Sequence, residues 1–148
     1  MKVFNHTFNT WLLAQFLHPV VFFAYFSVIL NDPIDPGALI SLLVGAFIVS
    51  SPALFISFLA LRYLSGKKIA TGLSFVVWIF IAIASIVLNI TLFVFLLSND
   101  SFYIPFDFII PAFIAALISI LVRLPLFFKL ITGIKKEKTY EDSIQYEN

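Results

Sequence analysis

The sequence predicts an all-α membrane protein: four transmembrane helices, arranged as two tandem helical hairpins in an up-down bundle, with both termini cytoplasmic. Three observations carry that expectation. The 148 residues are 61% hydrophobic and only 11% charged, whereas a water-soluble domain carries about 25% charged residues to cover its exterior. Long stretches contain no Asp, Glu, Lys or Arg at all, namely 3–31, 36–61 and 69–99. The nine basic residues also collect on alternate connections only. Continuous apolar runs, not alternating ones, exclude a β-barrel pattern.

Each charge-free stretch exceeds the ~20 residues needed to carry an α-helix across about 30 Å of hydrocarbon. Helices are therefore expected near 9–30, 37–62, 70–98 and 105–131, within a transmembrane domain at 1–132. A charged cytoplasmic tail is expected at 133–148. The fourth span holds Asp107, Arg123 and Lys129. Asp107 and Arg123 stand about 24 Å apart along a helix axis, so they can reach opposite headgroup regions. The first helix follows Lys2 but is longer than the 7–15-residue core of a signal peptide and lacks a small-residue cleavage pattern, so it is expected to be retained.

Orientation follows from the loops. Lys2, Arg62, Lys67, Lys68, Arg123, Lys129, Lys135, Lys136 and Lys138 lie in the leader, the middle connection or the C-terminal end. The other two connections carry Asp32, Asp35, Asp100 and Asp107 and no base. The positive-inside rule then places the basic connections in the cytoplasm of a bacterial-type inner (plasma) membrane, with Arg62, Lys67, Lys68, Arg123, Lys129, Lys135 and Lys136 against lipid headgroups. Arg123 has a second reading, facing the other helices and holding an anionic group. Asn31-Asp32 and Lys67-Lys68 recur 68 positions later as Asn99-Asp100 and Lys135-Lys136. That spacing fits a duplicated hairpin, and equally fits any four-span chain obeying the same charge rule.

Between the ends, the helices carry two kinds of feature. Small residues form stripes at helical spacing: Ala46, Ser50, Ala53, Ser57 and Ala60 on the second helix, and Ala112, Ala115, Ala116 and Ser119 on the fourth. Membrane helices associate by close packing of such residues, since lipid tails are as apolar as leucine. Polar residues form a candidate intramembrane site. Gln15 and His18 are neighbours on the first helix with Tyr25 on the same side, and Pro19 frees the Gln15 carbonyl. On the third helix Trp78, Ala82, Ser85 and Asn89 share a face. An ionisable group at membrane depth is a functional-site hypothesis by default; a neutral His18 bonded to Asn89, a serine or the freed carbonyl is the plainer reading. His6 is expected at the inner headgroup level. The turn at 31–37 is rich in Asp, Pro and Gly, and the tail is free to lie on lipid, enter solution or dock a partner.

Several chemistries have no residues to support them. The absence of cysteine removes disulfides, thiolate metal sites and thiol nucleophiles. A net charge of +1 without a basic face argues against nucleic acid. No carboxylate lies in the middle third of a span, and no base–nucleophile spacing suggests a hydrolase. One deep histidine per chain cannot supply two haem ligands. No cofactor or metal is expected. What remains is a non-enzymatic membrane protein whose partners are the lipid bilayer and another membrane protein or itself, acting as a subunit, an adaptor or a self-assembling oligomer. The alternative is a small channel, exporter or membrane-perturbing effector with a weakly polar path lined by His18, Gln15, Ser85 and Asn89.

Overall fold

The computed structural model describes residues 1–31, 35–67, 69–97 and 106–146, and among them all regular structure is helical, with no strand. Helix α1 spans Lys2–Ala24 and runs directly into a π-helical turn at Tyr25–Ile29; α2 spans Pro36–Ser65, α3 Thr71–Leu97 and α4 Phe106–Tyr146. Four segments are long and apolar enough to cross a membrane: Lys2–Ile29, Leu43–Ser65, Thr71–Leu92 and Ile109–Lys138. The expectations for Asp32, Lys68, Asn99 and Asp100 lie outside the described residues.

Two helices are longer than expected, each for a local reason. Helix α1 starts seven residues early because nothing between Val3 and Thr10 breaks a helix. Thr7 and Thr10, which read as polar leader, donate their hydroxyls to the carbonyls of Val3 (3.1 Å) and His6 (2.8 Å) one turn back, so the hydroxyls need no water. Helix α4 continues through the charged tail to Tyr146 and is 41 residues long, about 62 Å. Its run Lys135-Lys136-Glu137-Lys138 consists of good helix formers. At the far end of α1, the Leu30 amide donates to the Tyr25 carbonyl at 3.2 Å to close the wide turn. Asn31 then takes φ 52°, a left-handed conformation that asparagine tolerates and that ends a helix.

Helix α1 packs most extensively against α4 and also against α2; α2 packs against α3, and α3 against α4. At one end of the helices lie the N-terminus, the α2–α3 turn and the Lys135–Lys138 stretch of α4. Lys2 and Glu137 form an exposed ion pair there at 2.9 Å. Lys138 Nζ donates to the carbonyl of Gly66 (3.1 Å), and Lys135 Nζ donates to the Ile69 carbonyl and to Ser74 Oγ (3.3 Å). Lys138 thus caps a carbonyl at the end of α2, where the helix dipole favours a cation, and Lys135 ties α4 to the connection and first turn of α3. At the other end Tyr25 meets Asp107, its hydroxyl donating to Oδ1 at 3.4 Å.

The hydrophobic core sits toward the lysine end. Leu61 and Leu64 of α2, Trp78 of α3 and Ile120, Phe127 and Ile131 of α4 form one buried cluster. Trp78 stacks on Phe127 with centroids 5.3 Å apart, and Phe75 meets Phe127 edge-on at 5.0 Å. The Trp78 indole N–H donates to the Ser57 carbonyl at 3.1 Å, so the ring is buried without an orphaned donor. The paired landmarks of the 68-residue spacing take different local structures: Lys67 lies in the turn after α2, whereas Lys135 and Lys136 lie within α4.

Candidate intramembrane polar site

The small-residue stripes lie between the helices. Ala53 and Ser57 of α2 are buried, as are Ala115, Ala116 and Ser119 of α4; Ala46, Ser50, Ala60 and Ala112 are half-buried. Ser119 Oγ donates to the Ala115 carbonyl at 2.8 Å, which hides its hydroxyl inside its own helix. The stripes are therefore used within the chain.

The polar residues do not gather as one site. Gln15 is buried, and its partners are on α2. Oriented so that its oxygen meets a donor, Gln15 Oε1 accepts from Trp11 Nε1 (3.3 Å), while Nε2 donates to Ser50 Oγ (3.2 Å) and to the Ala46 carbonyl (3.1 Å). Trp11 Nε1 also lies 2.9 Å from Ser50 Oγ, to which it donates, and Ser50 Oγ donates to the Ala46 carbonyl at 2.6 Å. Four groups from two helices thus satisfy one another, so the buried amide is not left orphaned. The sequence singled out Gln15 but paired it with His18. The signal for Trp11 was its position one turn before Gln15, and Ser50 counted only as a small residue.

His18 lies elsewhere. Its ring meets Phe22 edge-on at 5.9 Å, and its Nε2 is buried without a partner among the described residues. Ser85 and Asn89 turn back onto their own helix: Ser85 Oγ donates to the Ile81 carbonyl (2.7 Å) and Asn89 Nδ2 to the Ser85 carbonyl (2.7 Å). Tyr25 is engaged with Asp107 at the helix ends. The expected face of Gln15, His18, Tyr25, Ser85 and Asn89 is in fact four separate environments.

A small cavity of about 60 Å³ lies where the four helices meet. Thr7, Thr10, Trp11 and Gln15 line it from α1, Ser50 and Ser57 from α2, Trp78 and Ala82 from α3, and Ala116 and Ile120 from α4. Of the four residues expected along a polar path, only Gln15 lines it. Most hydroxyl and indole groups on its wall already donate to carbonyls or to one another.

The basic residues also divide. Arg62, Lys67, Lys129 and Lys136 are exposed, with Lys67 Nζ 4.6 Å above the Tyr63 ring. Lys135 turns inward to the α2–α3 connection. Arg123 is half-buried, and its Nε is enclosed without a partner among the described residues. His6 is the more deeply buried histidine, with 5% exposure. Its ring lies 5.9 Å from both Trp78 and Phe127, and its Nε2 has no partner among the described residues. Nothing in its spacing marked it, because α1 was expected to begin after it. Among the described residues no three His, Cys, Asp or Glu side chains converge as metal ligands would. No protein-family model matches the chain, and no curated protein or solved structure shows significant similarity to it.

Proposed function

We propose that the chain is a non-enzymatic integral protein of a bacterial-type inner membrane, a four-helix up-down bundle with both termini cytoplasmic, acting as a subunit, adaptor or self-assembling oligomer. The observation that carries this reading is the outward surface. All four helices expose large apolar side chains, among them Val20, Ile48, Phe80 and Val122, each more than 60% exposed. Apolar surface spread round every helix is suited to lipid or to another membrane helix, and not to water. The connections between helices are short, so a partner is met within the bilayer or along the lysine-rich end of α4. With the small residues used between the helices, outward association relies on ridges of Ile, Leu, Val and Phe, which pack by shape.

A channel or exporter is the second reading, favoured by the cavity beside Gln15. It is weaker because His18, Ser85 and Asn89 do not join that cavity and most polar groups of its wall are already bonded. The two readings part in one experiment on the full chain. Purification in mild detergent followed by mass measurement should recover a complex larger than the 16.7 kDa chain, and proteoliposomes carrying it should stay tight to ions. A monomer whose ion leak is abolished by Gln15→Leu would reverse the preference.

A further inference from the structure

We infer that Arg123 is a docking point for a different membrane protein, one whose transmembrane helix carries an aspartate or glutamate near mid-depth. The inference rests on the membrane-embedded reading above and narrows its choice of partner, because a second copy of this chain cannot fill the site.

Depth is the first observation. Arg123 is the fifteenth of the 30 residues in the span Ile109–Lys138. Along α4 it stands about 24 Å from Asp107 and about 18 Å from Lys135. An arginine side chain does not cover either distance, so the headgroup contact expected for Arg123 gives way to its second reading, an anionic group among helices. A charge at such depth is retained beside an opposite charge, a water-filled cavity or backbone carbonyls. Arg123 does not line the cavity between the helices. It has no hydrogen bond or ion pair among the described residues, where the single ion pair is Lys2–Glu137, and its Nε is enclosed without a partner there.

The sequence offers no counter-charge at that level. Residues 3–31, 36–99 and 108–136 contain no Asp or Glu. A second copy inserted the same way has the same gap, so self-association leaves the guanidinium unpaired. Soluble anions do not enter hydrocarbon, and at mid-depth an anion has to be carried in by a polypeptide, as the side chain of Asp or Glu. The two oxygens of a carboxylate match the planar fork of arginine, and a low dielectric strengthens the pair. Each helix alone bears an unpaired charge in lipid, which makes the pair selective as well as attractive.

The neighbours of Arg123 show where the partner packs. Ser119, Ile120 and Phe127, three or four positions away, are buried. Val122 and Leu126 beside it are 62% and 47% exposed, and Ile118 one turn earlier is exposed too. Arg123, itself half-buried, therefore stands at the edge between the inner face of α4 and an outward aliphatic ridge at 118, 122 and 126. A helix laid on that ridge meets it by shape and the guanidinium by charge.

Photocrosslinking of the full chain in the membranes of its own cell tests this, with Val122 or Leu126 replaced by benzoylphenylalanine. The crosslinked peptide is expected to come from another protein, in a transmembrane segment with Asp or Glu near its middle. Arg123→Leu should lower the yield about tenfold, Arg123→Lys less, and Lys136→Leu not at all. Neutralising the partner's acid should cost yield in the wild-type chain and nothing further in Arg123→Leu; independent losses would contradict an ion pair. The isolated chain should keep its unfolding midpoint in Arg123→Leu, because the guanidinium holds nothing within it, and a clear fall would overturn the proposal. So would crosslinks to a second copy, to lipid alone or to a segment without an acid, or a yield indifferent to Arg123→Leu. A carbonate wash of the membranes separates the two claims. Release of the chain defeats the membrane reading, whereas a retained chain without the acid-bearing crosslink defeats only the docking point.

Discussion

The two ends of the helices are built differently although the same four helices pass through both. At the lysine end, three helices contribute to one aromatic and aliphatic cluster around Phe127 and Trp78. Lysines of α4 bond carbonyls of the α2–α3 connection and the Ser74 hydroxyl of α3 across 61 to 72 residues of chain. At the aspartate end, the described cross-helix polar contact is one long bond from Tyr25 to Asp107, and buried side chains are sparse, Phe22 and Ile109 among them. The α1 helix also loosens there into a π-helical turn. The difference teaches that stability in such a chain need not follow hydrophobicity. Thr71–Leu92 is the most apolar of the four spans, yet the tight core forms only toward its lysine end, where bulky rings interlock and backbone carbonyls find cations. In lipid, dispersion and packing shape decide, because transfer from water contributes little between helices.

The largest effect that sharpens this contrast should come from Phe127→Ala. It removes the ring stacked on Trp78 and in edge contact with Phe75 and His6, leaving a cavity; about 3 kcal/mol of stability should be lost, read as a lower unfolding midpoint in mixed micelles. Ser50→Phe should follow at about 2 kcal/mol, since a ring cannot fit between α1 and α2 without displacing Trp11 and Gln15. Ser50→Ala keeps the space and loses only the hydrogen bonds, so about 0.6 kcal/mol is expected. An equal loss for both would mean that polarity, not fit, holds this seam. Lys135→Met should cost about 1.5 kcal/mol by uncovering the Ile69 carbonyl and Ser74 hydroxyl, and hydrogen exchange should rise at the α2–α3 turn while the opposite end is unchanged. The smallest effect is expected at the aspartate end: Tyr25→Phe should leave the midpoint where it is. A drop comparable to that of Phe127→Ala would erase the contrast.

The four spans were legible because charge and length alone define them. The limits of α1 and α4 were not. Polar residues at 2–10 and charged ones at 135–146 look like leader and tail, but Thr7 and Thr10 bond within the helix and the lysines find carbonyls on a neighbour. Of the small-residue stripes, Ala53, Ser57, Ala115, Ala116 and Ser119 are buried and the other four half-buried; close approach of two backbones leaves such a simple periodic trace. The polar site was read only in part. Gln15 stood out as a buried amide, whereas its partners Ser50 and Trp11 depend on how α2 is rotated against α1, which no spacing within one helix encodes. The same limit hid His6: its depth is set by where α4 places Phe127, 121 positions away in sequence.

The most direct measurement of the central claim is side-specific labelling with a membrane-impermeant maleimide. The chain has no cysteine, so each introduced thiol is the sole target. Lys67→Cys and Lys136→Cys, both at exposed positions of the lysine end, should react only from the cytoplasmic face. Asn31→Cys, exposed at the other end, should react only from the opposite face. Labelling of Lys67→Cys and Lys136→Cys from opposite sides, or of all three from the same side, would contradict it.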